Sequence, residues 1–271
     1  MVAEVVGGLL TGSLALLADA GHMLSDVAAL GLSVVAIGMA QRPSSPQQTY
    51  GYLRTEILAA LAHGALLVGV AIFVAVEAVE RLDSPQDVLA APMFAIATGG
   101  LAVNLLGLAI LNAGKKENLN IRGAWLHVLS DALGSVGAMA AGLCIWAWGW
   151  IWADAVASIL ISALITYSAW ALLREVVGVL MESAPPHIDV GEVEASITEL
   201  PGVAAVHDLH VWTITSGMVS LSGHVVAADG QRGEDLLHRI SAVLRQRFEI
   251  THTTIQVEPK GFEEPGAICP P

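Results

Sequence analysis

Histidine and aspartate stand four residues apart twice in apolar surroundings, as His22-Met23-Leu24-Ser25-Asp26 and, 105 residues later, as His127-Val128-Leu129-Ser130-Asp131. At i and i+4 on a helix, the imidazole and carboxylate of each copy share one face, one turn and roughly 6 Å apart along the axis. Two such helices side by side offer two nitrogens and two oxygens to one point. That donor set suits a tetrahedral divalent ion, zinc first, at about 2.0 to 2.2 Å. The alternative is a pair of structural hydrogen bonds between packed transmembrane helices. An aspartate at membrane depth costs about 2.5 to 3.5 kcal/mol on insertion scales and usually marks an ion path. A repeated pair weighs more heavily for that path than a lone one.

The elements that must position these groups are membrane helices. Hydrophobic residues make up 55% of the 271, where a soluble domain has about 45 to 50%, and the mean hydropathy is +0.66. Charge is uneven. After Glu182 the chain has twelve acidic and five basic residues and six of its nine histidines, a balance that excludes nucleic acid as a partner and attracts cations. Two cysteines, Cys144 in an apolar run and Cys269 near the end, provide neither a disulfide framework nor a cysteine-rich zinc module. No signal peptide with a basic leader is visible. No nucleotide-binding motif appears, which disfavours an ATP-driven pump and leaves nucleotide out of the expected cofactors.

Apolar runs predict an α-helical polytopic domain over 1–182, with six spans at about 1–17, 17–40, 53–82, 88–112, 119–148 and 150–180. The first is short against the roughly 20 residues a span needs. Gln41 to Pro46 reads as a loop, Asp83-Ser84-Pro85 as a turn and Lys115 to Asn118 as a polar connection. Trp146, Trp148, Trp150 and Trp152 form an interfacial aromatic belt in contact with lipid. Arg42, Arg54, Lys115, Lys116, Arg122 and Arg174 lie at one set of helix ends and only Arg81 at the other, so the six are cytoplasmic and the segment after the last span is too.

That segment, 185–259, reads as a small α+β domain of order αββαβ. It has helices over Val190–Leu200 and Gly233–Phe248 and strands over His207–Thr213, Met218–Val226 and Thr253–Val257, with Ser216-Gly217 as a turn. Residues 260–271 read as a flexible tail.

Six spans, the HxxxD pair on the second and fifth, and a cytoplasmic αββαβ domain together resemble the cation diffusion facilitator family of zinc transporters. Leu17-Ala18-Asp19-Ala20-Gly21-His22, the run Tyr50 to Glu56, Ala153-Asp154, the run His207 to Trp212 and the run His252 to Glu258 are similar to its signatures. The first helix and its leader are shorter than the family's, which fits a truncated or misassigned start. The histidine-rich loop that many eukaryotic members have between spans four and five is absent, and the short form resembles bacterial members. The resemblance implies a homodimer in the inner membrane that exports zinc in exchange for protons, with His22, Asp26, His127 and Asp131 as transport site. It also implies a cytoplasmic metal site, regulatory in role, at His207, His224, His252 and Glu258. Histidine at the first ligand position, where some members have aspartate, favours zinc over cadmium or manganese.

Other polar residues carry weaker expectations. Asp19 is a pathway carboxylate outside the ligand set. Glu56 and His63 share a helix face, with His63 read as an ordinary membrane histidine; Asp154 is read as a structural cross-helix bond; His210 and His238 fall outside the cytoplasmic site. Two other functions compete with export: a membrane-anchored zinc sensor without transport, which a shortened first helix would suit, and a membrane metalloenzyme, which lacks a general base near the His/Asp cluster.

Overall fold

A computed structural model describes residues 1–112 and 119–262. The polar connection at Lys115 to Asn118, Cys269 and most of the expected tail over 260–271 lie outside the described residues. The order is α1 (Val2–Thr11), α2 (Leu14–Ala40), α3 (Thr55–Asp83), α4 (Ala90–Asn112), α5 (Leu119–Trp148), α6 (Trp152–Leu180), α7 (Val190–Thr198), β1 (Val203–Thr215), β2 (Met218–Ala227), α8 (Gly233–Phe248) and β3 (His252–Glu258). The chain forms two compact units, residues 1–34 with 59–173 and residues 35–58 with 174 onward.

Five helices, α2 to α6, are long and apolar enough to cross a membrane. The first expected span needs correction. Instead of running over 1–17, α1 stops at Thr11, because Gly12 takes a left-handed φ of 72° and reverses the chain. Its 10 residues reach about 15 Å, half of a hydrocarbon core of about 30 Å. Helix α2 accordingly starts at Leu14, earlier than the expected Leu17.

Asp154, at the start of α6, fixes that early start. Its carboxylate accepts hydrogen bonds from Ser13 Oγ (2.6 Å), Leu14 N (2.8 Å) and Ala15 N (3.2 Å). It thus satisfies the first N–H groups of α2 and sits on the positive end of that helix. Arg81 Nη1 lies 3.7 Å from the same carboxylate and donates to Gly12 O at 2.6 Å. Asp154 is therefore the cross-helix structural residue its sequence context suggests.

The core of the first unit is rich in alanine, with Leu14, Leu67, Met93 and Ile161 among its few large side chains. Small residues let membrane helices approach closely. At Gly142 of α5 a Cβ would sit 3.2 Å from the backbone of Phe94 on α4. Large apolar side chains such as Val34, Phe73, Val103 and Ile110 face outward, as a lipid-facing surface requires.

In the second unit, β1 and β2 pair antiparallel through the Ser216-Gly217 turn, and β3 joins β2 in parallel, giving the order β1-β2-β3. A parallel neighbour needs a crossover, and α8 supplies it. Leu236, Ile240 and Leu244 recur every four residues along α8 and are fully buried with Val193 and Ile197 of α7 and Val211, Leu221 and Val225 of the sheet. Asp189 caps α7, accepting from Gly191 N and Glu192 N at 2.9 and 3.2 Å. Within the same unit Arg54 Nη2 pairs with Glu182 at 2.9 Å, and the Glu56 carboxylate accepts from Thr215 Oγ1 (2.5 Å) and Ser216 Oγ (2.8 Å).

Asp154→Ala strips the acceptor from Ser13, Leu14 and Ala15, while Arg81 keeps its 2.9 Å pair with Glu77; losing the cap of a helix N-terminus costs about 0.5 to 2 kcal/mol. The detergent-solubilised variant is expected to melt below both wild type and Asp154→Asn, since asparagine keeps an acceptor. Equal melting temperatures for all three would show that the cap adds no stability.

Candidate metal centres

Helices α2 and α5 bring the two HxxxD copies together. His22 Nε2 lies 3.4 Å from Asp131 Oδ1 and 3.8 Å from Asp26 Oδ2; His127 Nε2 lies 3.4 Å from Asp26 Oδ2 and 3.7 Å from Asp131 Oδ2. The two imidazoles are 5.9 Å apart, centre to centre. One donor atom each from His22, Asp26 and His127 falls within a common 4.8 Å. Ligands about 2.05 Å from a tetrahedral zinc stand about 3.3 Å from one another. The nitrogen–oxygen separations are thus long for hydrogen bonds yet close to the edge of a zinc tetrahedron. Asp131 Oδ1 and His22 Nδ1 are buried without a hydrogen-bond partner among the described residues, which is costly unless a further group satisfies them.

A cavity of about 290 Å³ adjoins three of the four residues, with His22, Asp26, His63, His127 and Ser130 on its wall. His22 and Asp131 are buried, whereas the His127 side chain is 49% exposed and forms the open rim. His63, read from sequence as an ordinary membrane histidine, has Nε2 3.4 Å from Asp26 Oδ1. A lone histidine carried no signal by spacing; only the packing of α3 on α2 reveals it. Asp19 stays out of the donor set, as expected. It is buried, and its Oδ2 accepts from Ser135 Oγ, which in turn accepts from Asn104 Nδ2, both at 3.3 Å. Neither Ser135 nor Asn104 stood out in the sequence.

The second centre lies on the sheet. His207 and His224 are direct partners across β1 and β2, and their rings are 5.1 Å apart. Glu258, at the end of β3, accepts from both: Oε1 lies 2.7 Å from His224 Nδ1 and Oε2 lies 3.1 Å from His207 Nε2. Gln256 Nε2 donates to Oε1 at 3.0 Å. The Glu258 carboxylate is 3% exposed. Burial alone would raise its pKa, but the hydrogen bonds from His207 and His224, with the charge of His207, hold it below the usual carboxylate range. Side chains from three strands thus offer two nitrogens and an oxygen within 4.8 Å of one another.

His252 does not join them. The β2–β3 register sets it opposite Ser220, while His224 faces Gln256; six residues of strand separate it from Glu258, about 20 Å. Its ring instead meets Tyr50, 5.6 Å away, so the expected group of four is a group of three. Asp208, unweighed in sequence, takes a left-handed φ of 50° at a bulge in β1 and lies 3.0 Å from His210 Nε2 and 3.9 Å from His224 Nε2. His238 is exposed on α8.

Two family models together cover almost the whole chain. The family model described as the cation efflux transmembrane domain matches residues 1–181, and that described as the cation efflux protein cytoplasmic domain matches 185–260. The chain is 44% identical to the metal cation efflux system protein CzcD of Cupriavidus metallidurans, over 95% of this chain and 82% of that protein. It is 43% identical to the cadmium, cobalt and zinc/H(+)-K(+) antiporter of Bacillus subtilis, over 100% of this chain and 89% of that one. It is 44% identical to the zinc transporter ZitB of Escherichia coli, over 95% and 83%. Among solved structures, the metal-bound C-terminal domain of CzcD is 44% identical, covers 26% of this chain and 99% of its own, and has a TM-score of 0.26.

Because the folded pKa of Glu258 is depressed, its contribution to domain stability is complete above the ordinary glutamate value and is lost as pH falls through the lower folded value. In Glu258→Gln this acid-side loss is expected to disappear. Melting temperatures of residues 185–271 measured across the acid range, with and without the substitution, check this; parallel curves would remove Glu258 from the acid transition.

Proposed function

The chain belongs to the cation efflux family, the cation diffusion facilitators, and from that premise we propose that it exports zinc from the cytoplasm in exchange for protons. The ion crosses at a tetrahedral site made by His22, Asp26, His127 and Asp131. The observation that carries this reading is that Nε2 of His22 and Nε2 of His127 each lie 3.4 to 3.8 Å from an oxygen of both Asp26 and Asp131. Zinc is the substrate, not a resident cofactor. Neutral imidazole and ionised carboxylate hold it, and protons compete for the same four groups, so binding on one side and release on the other are linked to pH without a nucleotide. Two imidazoles and two carboxylates also bind less tenaciously than four thiolates, which suits an ion that must leave.

Residues 185–259 act, in this reading, as a cytoplasmic dimerisation domain whose His207, His224 and Glu258 take a regulatory zinc. The domain has more acidic than basic residues, so two copies side by side repel, and bound cations offset that repulsion. The sensor reading uses only this second centre and leaves four converged donors in the membrane helices without a role. The relatives named as efflux proteins and antiporters favour export.

Asp131→Ala is expected to abolish pH-driven zinc flux in proteoliposomes while the protein stays folded and dimeric by size exclusion. Wild-type flux in that variant would remove Asp131 from the site. His22→Asp exchanges a borderline nitrogen for an oxygen and relaxes the tetrahedral preference. The ratio of cadmium to zinc transport is expected to rise, and an unchanged ratio would defeat the selectivity argument.

A further inference from the structure

We infer that His63 and Oδ1 of Asp26 form a loading position for the divalent cation, from which the ion passes into the site of His22, Asp26, His127 and Asp131. The inference rests on the export reading and deepens it. The two oxygens of Asp26 face different imidazoles: Oδ2 lies 3.4 Å from His127 and 3.8 Å from His22, and Oδ1 lies 3.4 Å from His63 Nε2. His63 Nε2 is buried yet makes no hydrogen bond among the described residues, not even to Asp26. Two donors that approach this closely without sharing a proton resemble, in spacing, two edges of one coordination shell. A carboxylate between two nitrogen sites lets an ion change oxygens without leaving the carboxylate.

The position of His63 suits an entry ligand. It lies on the wall of the 290 Å³ cavity with Leu126 and Leu172. His63 is eight residues from the start of α3 at Thr55, Leu126 seven from the start of α5 at Leu119, and Leu172 eight from the end of α6 at Leu180. That end of α6 runs on into the residues matched by the family's cytoplasmic domain. Beyond the four-residue site the space closes to about 10 Å³, against Asp19, Asp131 and Gly134. The wide approach to Asp26 therefore passes His63 and the half-exposed His127, and Asp131 lies deeper.

Two measurements on the full chain test this. In detergent, Asp131→Asn weakens the deeper site, and cobalt(II) is titrated with and without the added His63→Asn. The cytoplasmic centre contributes equally to both, so the difference belongs to His63. Residual binding is expected to weaken by about tenfold or more, the usual scale for removing a group that supports a metal site. Equal binding overturns the loading position. In proteoliposomes, His63→Asn is expected to raise half-saturating zinc more than it lowers maximal flux, and His63→Asp, which restores a ligand, is expected to bring half-saturation back. A defect that His63→Asp fails to repair assigns His63 to holding Asp26 in place and overturns the inference. Absence of zinc flux in the wild-type chain would sink the export reading instead, and the cobalt comparison would then decide the loading position alone.

Discussion

Two carboxylates and two imidazoles held close together among apolar helices are unfavourable unless something positive joins them. Asp26 and Asp131 repel each other through a medium that screens poorly, and neutral imidazoles have no charge to offset that. A doubly charged ion would meet both requirements at once: it would neutralise the carboxylates and give a partner to Asp131 Oδ1, which makes no hydrogen bond among the described residues. Closer approach would turn separations of 3.4 to 3.8 Å into direct hydrogen bonds.

That spacing depends on anchors at a distance from the site. Asp154 ties the start of α2 to α6 and, through Arg81, to α3, so the helix that carries His22 and Asp26 is fixed where it begins. The contact at Gly142 draws α4 against α5, the helix that carries His127 and Asp131. Nearer the site, Asn104, Ser135 and Asp19 join α4, α5 and α2 by buried side-chain hydrogen bonds. The end of the site toward Asp19 is narrow and bonded, and the end toward His63 and His127 is open. In the proposed reading an ion held between such ends would have a wide approach, which is what a transporter facing one side of the membrane needs before it turns to the other.

Legibility in the sequence followed the range of the interaction that places each residue. His22 with Asp26, and His127 with Asp131, are one helical turn apart, so the period of the helix alone puts each pair on a face, and the repetition matches one pair to the other. The αββαβ domain was legible for the same reason, through the four-residue recurrence of Leu236, Ile240 and Leu244 and the alternation of β2. His252 was misplaced because its strand is recognisable but its register is not. Pairing with Ser220 rather than with a residue near His224 is set by the α8 crossover, which no local pattern encodes. The end of α1 was missed because an apolar run continues through Gly12, whose left-handed turn is stabilised by a residue 140 positions away from Leu14. His63 and Asp208 act only through neighbours on other elements, and nothing in their own surroundings marks them.

The two centres have similar donors and opposite states of preparation. In the cytoplasmic domain, Glu258 is already closed onto His224 and His207 by hydrogen bonds of 2.7 and 3.1 Å. A metal entering there must displace the protons those bonds share, so binding exchanges one satisfied arrangement for another and releases protons as it does so. In the membrane unit the corresponding distances start at 3.4 Å, and several donor atoms lack any hydrogen bond. Binding there replaces no protein–protein hydrogen bond and relieves an existing electrostatic cost. The first arrangement suits occupancy that responds to zinc level and pH over a threshold; the second suits fast entry and exit with little rearrangement of the protein. In the proposed reading the same pair of residue types thus serves a regulatory centre on the sheet and a transport centre between helices. The difference comes from whether the backbone lets carboxylate and imidazole reach one another.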